Sequence, residues 1–179
     1  MRAGMRFPSS WSAVVVLAAL AGLARAGSAS FTGVVDLAGR RLEALPLGPG
    51  PTVLVFTRTD CPISNRYAPE LRRLGERFAG RGVVFRLVYA DPTETPAAIR
   101  EHMRAFGTVT PEAAVFVAHP SGPRMVYRGR IDDRAVDFGR ARPEPRTRDL
   151  ADVLDALTAG RTLIPRTTTA VGCVIAGLP

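Results

Sequence analysis

One feature most restricts what this 179-residue chain can fold into: an apolar strand is followed by an amphipathic helix and then by a second strand. Thr52–Thr57 is a continuous run of apolar and β-branched residues, which is typical of a strand buried on both faces. Over residues 63–78 apolar side chains recur every three or four positions, which predicts a helix with one buried stripe. Residues 83–89 predict the next strand. Strand, helix and strand in this order favour parallel pairing.

The rest of the chain predicts further alternation of strands and helices. A Pro/Gly turn at 119–123 separates two apolar runs and favours an antiparallel hairpin. Thr95 is a candidate N-cap, because a proline follows it at the first helical position. The predicted elements are a hairpin in 31–47, a helix over 96–106, strands at 113–118 and 125–128, and a helix over 149–157. The sequence therefore predicts an α/β protein with a mixed central sheet flanked by helices.

The first 26 residues have the pattern of an export signal. Arg2 and Arg6 precede a 13-residue apolar stretch, and Ala24-Arg25-Ala26 follows it. Thirteen residues in a helix span about 20 Å, less than the ~30 Å of a bilayer core. We therefore expect a cleaved signal peptide at 1–26 rather than a permanent anchor, and a periplasmic or otherwise extracytoplasmic protein. The predicted domain is 27–160, with an irregular tail at 161–179.

The net charge of +8 does not indicate a nucleic-acid partner. All 24 basic residues are arginine, and they are spread along the chain without a dense run. Aromatic residues do not alternate with them, as they do on many nucleic-acid-binding surfaces. No nucleic-acid partner is expected.

Cys61 is the strongest candidate for a reactive group. It lies between the strand Thr52–Thr57 and the first turn of the following helix. There a thiol faces unpaired backbone N–H groups and the positive end of the helix dipole, and both favour the nucleophilic thiolate. Arg58 and Arg66 are expected to add positive charge nearby. The alternative is an inert cysteine packed as a small apolar side chain.

The surrounding residues resemble a known family. The stretch 60–71 (DCPISNRYAPEL) is similar to a bacterial redoxin-domain group of the alkyl hydroperoxide reductase and thiol-specific antioxidant superfamily. Pro69 resembles the family's helix-kinking proline, and Thr110-Pro111 its cis-proline loop. The stretches 127–134 and 170–173 look like the same group, so the resemblance covers residues 31–175.

The resemblance implies a thioredoxin-like fold and a thiol oxidoreductase. Cys61 would be its catalytic nucleophile, with Thr110, Pro111, Pro62 and Ser64 as substrate-binding residues. It implies no metal and no organic cofactor. The implied partners are protein or small-molecule thiols and disulfides.

Two departures from the family pattern bear on activity. Ser64 stands where thioredoxins have a second cysteine, and a hydroxyl cannot release a mixed disulfide. Leu54 and Arg58 stand where peroxiredoxins have the Pro and Thr that precede their cysteine. The expected function is therefore thiol–disulfide exchange. The alternatives are a non-catalytic binding module and a thiol-dependent peroxidase.

Cys173 is the other cysteine of the chain. In an oxidising compartment it is the expected catalytic partner that resolves Cys61. Two further roles stay open: a structural disulfide with Cys61, and an intermolecular disulfide.

The remaining polar residues give weaker signals. Asp132, Asp133 and Asp137 lie among arginines, and a solvated, salt-bridged loop is favoured there over a substrate-facing one. Neither His102 nor His119 has a spacing to Cys61 that indicates a metal site. Copper-delivery relatives of this fold carry a cysteine where this chain has Asn65, so that function is not expected.

Overall fold

The computed structural model describes residues 11–16, 34–42, 47–91, 93–105 and 112–172. Within these ranges it contains three α-helices and ten strands. The strands are β1 Trp11–Val16, β2 Val34–Asp36, β3 Arg41–Leu42, β4 Thr52–Thr57, β5 Val84–Tyr89, β6 Glu112–Val117, β7 Arg124–Arg130, β8 Ala135–Asp137, β9 Arg140–Ala141 and β10 Arg166–Thr167. The helices are α1 Pro62–Phe78, α2 Pro96–Ala105 and α3 Asp149–Thr158, and a 3₁₀ turn, Ala79–Arg81, follows α1.

Eight of the described strands form one mixed sheet in the order β10-β7-β6-β4-β5-β1-β2-β3. Its centre is β4, which is parallel to β5 and antiparallel to β6. On one side β7 continues the sheet antiparallel to β6, and on the other β1 lies parallel to β5. Strands β8 and β9 form a separate hairpin. The predicted mixed central sheet and three helices are confirmed.

The central strands alternate their side chains between two apolar layers, as the two-residue period of a strand requires. Val53 and Val55 of β4 belong to the larger layer, together with buried residues of all three helices. Leu54 of β4 belongs to the smaller layer, where Val34 and Leu42 of the β2–β3 hairpin pack. Within the described residues, this smaller layer contains no helical residue, so the helices cover mainly one face of the sheet.

Helix α1 forms where the apolar period predicted it. Its buried stripe contains Tyr67, Leu71, Leu74 and Phe78, all of them in the larger layer. After the 3₁₀ turn, Gly82 adopts the left-handed conformation with φ of 72°, which ends the helical segment and leads into β5.

The N-terminal segment takes a conformation that the signal-peptide prediction did not include. Strand β1 pairs parallel with β5, from Trp11 opposite Phe85 to Val15 opposite Tyr89. It also pairs antiparallel with β2. Cleavage after Ala26 would remove this strand from the sheet. The expected cleavage is a matter of processing and stays a prediction.

The segment after α3 is more ordered at one point than the expected irregular tail. Arg166 and Thr167 form β10, which lies parallel to Tyr127 and Arg128 of β7. Cys173 lies outside the described residues, as do Thr110 and Pro111 with their predicted cis bond. No helix in the described part of the chain is long and apolar enough to cross a membrane.

Candidate functional site

The site around Cys61 is built by the junction of β4 and α1. Cys61 is the N-cap residue of α1, with an extended backbone (φ −87°, ψ 108°), and Pro62 begins the helix. The Cys61 carbonyl accepts the backbone N–H of Asn65 at 3.1 Å, which is the first helical hydrogen bond. The first turn of α1 carries no acidic residue. The positive end of the helix dipole is therefore not offset by a carboxylate on the helix itself.

Cys61 is buried, with 1% of its surface exposed, and it is disulfide-bonded. The one other cysteine in the sequence is Cys173, which lies outside the described residues. In this oxidised state a molecule in solvent cannot reach the Cys61 sulfur. Any attack by this sulfur first requires the disulfide to open.

Pro62 and Ser64 lie two positions apart in the first turn of α1 and differ in exposure. Pro62 is exposed, whereas Ser64 is fully buried. The Ser64 hydroxyl has no hydrogen-bond partner among the described residues. A substrate can therefore contact Pro62 and not Ser64 in this state. Thr110 and Pro111, the other predicted substrate-binding residues, lie outside the described residues.

In the loop before Cys61, Arg58 contacts two carboxylates, and these contacts correct one expectation. Arg58 forms salt bridges to Asp60 and to Asp91, both at 3.1 Å. Hydrogen bonds from Thr93 and, to a smaller extent, the positive charge of Arg58 hold the pKa of Asp91 below its ordinary value. The expectation that Arg58 adds net positive charge near Cys61 is wrong, because two carboxylates neutralise it. On the same loop the Thr59 backbone N–H donates to Glu94 Oε1 at 2.5 Å.

A buried histidine contacts α1 one turn beyond Cys61. His102 of α2 is 4% exposed, and its Nε2 lies 2.8 Å from Asn65 Oδ1. Its Nδ1 lies 2.9 Å from the hydroxyl of Tyr89, the last residue of β5. Since an amide oxygen only accepts, Nε2 carries the proton and Nδ1 accepts from Tyr89. Burial lowers the pKa of His102, which keeps the ring neutral.

On the other side of α1, Tyr67 connects the helix to the loop after β7. Its hydroxyl donates to Asp132 Oδ1 at 2.9 Å and accepts the Ala135 N–H at 3.2 Å. Asp133 accepts two further backbone N–H groups, from Arg146 and Thr147.

The prediction of a solvated loop is thus wrong for two of the three acidic residues. Asp132 and Asp133 are buried, with 1% and 7% of their surfaces exposed, while Asp137 is exposed. The two buried carboxylates accept hydrogen bonds within the protein, so they fix the loop rather than face water.

Two cavities border the site. The larger, of about 570 Å³, lies between Thr59 and α2. The smaller, of about 30 Å³, lies between α1 and the β8–β9 hairpin. In the described part of the chain, His, Cys, Asp and Glu side chains form no cluster of three that could hold a metal ion.

Comparison with known proteins bears on the fold alone. The sequence matches no protein-family profile and no curated protein. Among solved structures, an uncharacterized conserved protein from Geobacillus kaustophilus is similar, with a TM-score of 0.59 and 22% identity over 74% of this chain and 79% of that one. A hypothetical protein from Sinorhizobium meliloti 1021 has a TM-score of 0.52 and 20% identity over 72% and 82%. These similarities support a shared α/β architecture.

Sequence reasoning placed Cys61 correctly at a strand–helix junction but missed its polar neighbours. His102 lies three residues after Ile99 on the buried face of α2, so the apolar period alone could have marked it as buried. Nothing in the sequence pairs it with Asn65, because that contact joins residues 37 positions apart. The packing of β8–β9 beside α1 was likewise without a local signal.

Proposed function

We propose that this protein is a thioredoxin-like thiol–disulfide oxidoreductase in which Cys61 is the nucleophile and Cys173 the resolving thiol. The observation that carries the proposal is the state of Cys61, disulfide-bonded at the N-terminus of α1. The fold assignment is supported by the order β7-β6-β4-β5, with α1 joining the parallel pair β4 and β5. The resemblance of residues 60–71 to redoxin domains supports the same assignment.

The proposed reaction is a pair of exchanges. In the reduced protein the Cys61 thiolate attacks one sulfur of a substrate disulfide, forming a mixed disulfide and releasing the other sulfur as a thiolate that takes up a proton. The Cys173 thiolate then attacks the Cys61 sulfur and releases the second substrate thiolate. The two electrons that reduce the substrate come from the protein, whose cysteines end as a disulfide. A partner dithiol returns the protein to the reduced state.

Electrostatics at the junction support this role for Cys61. Unpaired N–H groups of the first helical turn stabilise a thiolate both as the attacking group and as the leaving group. The proposed site of action is outside the cytoplasm, where disulfides persist. That location follows from the signal-peptide pattern in residues 1–26.

The test is trapping of the mixed disulfide. We expect reduced Cys173→Ser protein to form a stable covalent adduct with a model disulfide, because no thiol is left to release it. The unsubstituted protein should instead end as an intramolecular disulfide, seen by mass spectrometry as a loss of two hydrogens. Cys61→Ser is the matched control, and we expect it to form an adduct, through Cys173, much more slowly. An adduct on Cys61→Ser but none on Cys173→Ser would overturn the assignment.

One observation favours a second candidate, a structural disulfide in a non-catalytic binding module. Cys61 is almost completely buried, which is typical of a disulfide that is not meant to open. A structural pair should have a reduction potential below about −300 mV, while a catalytic pair should lie above it. Equilibration of the protein with glutathione at a series of potentials measures this value. A bridge that stays closed throughout would favour the structural role.

A further inference from the structure

A shallow groove beside α1 carries unusual charge. We call it the arginine groove. Ile63 and Arg66 of α1 form one wall, and Arg134, Asp137 and Arg140, in and beside the β8–β9 hairpin, form the other. Its enclosed volume of about 30 Å³ is enough for one small group such as a carboxylate, with the remainder of a ligand in solvent.

No described carboxylate lies within salt-bridge distance of the three guanidinium groups of the groove, although the charge of Arg134 helps to lower the pKa of Glu70. Among the described residues, Arg66, Arg134 and Arg140 form no salt bridge, whereas Arg58 and Arg130 are paired with aspartates. The Asp137 carboxylate is used by the neighbouring Phe138 N–H, at 2.7 Å. The groove thus has three positive groups against one negative group.

Arg134 adds an unmet hydrogen-bond donor to this charge. Its Nε is buried and has no hydrogen-bond partner in the described part of the chain. A buried donor without a partner costs free energy, and a shift of the Arg134 side chain toward an anion in the groove would recover that cost. Guanidinium groups bind carboxylates through charge-assisted hydrogen bonds.

The groove lies on the same end of α1 as Cys61. Arg66 follows Cys61 by five residues, which is about 7–8 Å along a helix axis. The hydrogen bonds of Tyr67 to Asp132 and Ala135 hold the hairpin wall against the helix. Measured along the axis of α1, a ligand anchored in the groove would therefore lie within about one and a half turns of Cys61.

We propose that the arginine groove binds a carboxylate of the substrate, so that Cys61 prefers disulfides whose flanking groups are anionic. This inference rests on the proposed function and names its substrate class. The charge of Arg58, by contrast, is offset by Asp60 and Asp91. The preference is for carboxylate charge near the disulfide, carried by either a small molecule or an acidic peptide.

The test compares two chromogenic disulfides that differ in charge. 5,5′-Dithiobis(2-nitrobenzoate) carries two carboxylates, and 4,4′-dithiodipyridine is neutral at pH 8. Reduced Cys173→Ser protein leaves Cys61 as the one reacting thiol, and the ratio of the two rate constants reports the preference. We expect Arg66→Gln, Arg134→Gln and Arg140→Gln each to lower the rate with the dianion by about twofold to fivefold, and to leave the neutral reagent unchanged.

Arg161→Gln is the matched control. It removes the same charge as the groove variants, and Arg161 is exposed and does not line the groove. If the control lowers the ratio as much as the groove variants do, general charge is responsible and the inference is overturned. Equal ratios in all variants overturn it as well. If Cys61 reacts with neither reagent, the proposed function itself fails. Arg66 and Arg140 are exposed, so their variants decide the question even if Arg134→Gln misfolds.

Discussion

His102 shows how a single buried side chain can join three elements at this site. One ring nitrogen contacts Tyr89 at the end of β5, and the other contacts Asn65 in α1. The Tyr89 and His102 rings also meet edge to face, with centroids 5.8 Å apart. Protonating His102 would place a donor against the Tyr89 hydroxyl and a charge in an apolar layer, which burial opposes.

This arrangement predicts a pH dependence of stability. Because burial holds the pKa of folded His102 below its ordinary value of 6.5, the unfolded chain takes up a proton first as the pH falls. The free energy of unfolding should therefore decrease as the pH falls below about 6.5. His102→Gln should lose this component, as measured by urea unfolding at pH 7.5 and 5.5. His119→Gln is the control, because His119 is exposed in a turn.

If His102→Gln and His119→Gln respond to pH alike, His102 is not the group responsible.

At this scale the sequence predicted single positions well and partners poorly. Cys61 was located by its local context, since strand and helix patterns meet at that residue. The pairing of Arg58 with Asp91 joins residues far apart in the sequence, so the charge of Arg58 was judged wrongly.

At the scale of elements, the contact between β7 and the segment after α3 depends on one glycine. Gly129 lies in β7 with φ of 149°, and an added Cβ would lie 2.1 Å from Thr168 Oγ1 and 2.4 Å from its carbonyl oxygen. Thr168 donates its N–H to the Arg128 carbonyl, and its hydroxyl accepts the Arg130 N–H. Cys173 follows five residues later, a reach of at most about 16–18 Å. Close packing at Gly129 therefore sets where the tail begins.

We predict that Gly129→Ala slows formation of the intramolecular disulfide. The added methyl group cannot share its space with Thr168, so the tail detaches and Cys173 is presented to Cys61 at a lower effective concentration. Several-fold slower closure is expected when the reduced protein is oxidised and quenched at intervals. Gly139→Ala is the control: its φ of 76° is also one that alanine rarely adopts, but its Cβ would meet nothing within 4 Å. Equal closure rates in the two variants would contradict the prediction.

The sequence predicted the longer elements because each carries several periods of its pattern. Strand β4 has the predicted bounds, and α1 and α3 differ from theirs by one residue. The two-residue strands β9 and β10 contain too few residues for a period to be visible. Their positions depend on side-chain and backbone contacts made by other parts of the chain, such as Thr168 on β7.

At the scale of the whole molecule, residues 11–16 have two incompatible uses. They form β1, between β5 and β2, and they also lie in the apolar stretch of the predicted signal peptide. The same β-branched and apolar side chains suit both environments, so composition alone could not distinguish them. Processing of the chain decides which use applies to the functional protein.

We predict that protein recovered after export begins at Gly27 and lacks β1. Mass spectrometry of the intact protein gives the N-terminus. Hydrogen exchange should then be faster at those β5 amides that pair with β1 in the full-length chain. Amides of α3 serve as the internal control, since β1 does not pair with that helix. Exported protein that retains Trp11, or unchanged exchange in β5, would contradict the prediction.

The two outermost strands of the described sheet, β3 and β10, are only two residues long each. Strand β10 covers just Tyr127 and Arg128 of the seven-residue β7, and Arg124 and Arg130 flank the covered stretch. An approaching strand from another copy would meet the charge of Arg124 on one side of this stretch, while the charge of Arg130 on the other side is offset by Asp149. Short, charged margins of this kind discourage sheets from joining into fibrils. The margins of the folded sheet thus discourage association between copies, independently of any chemistry at Cys61.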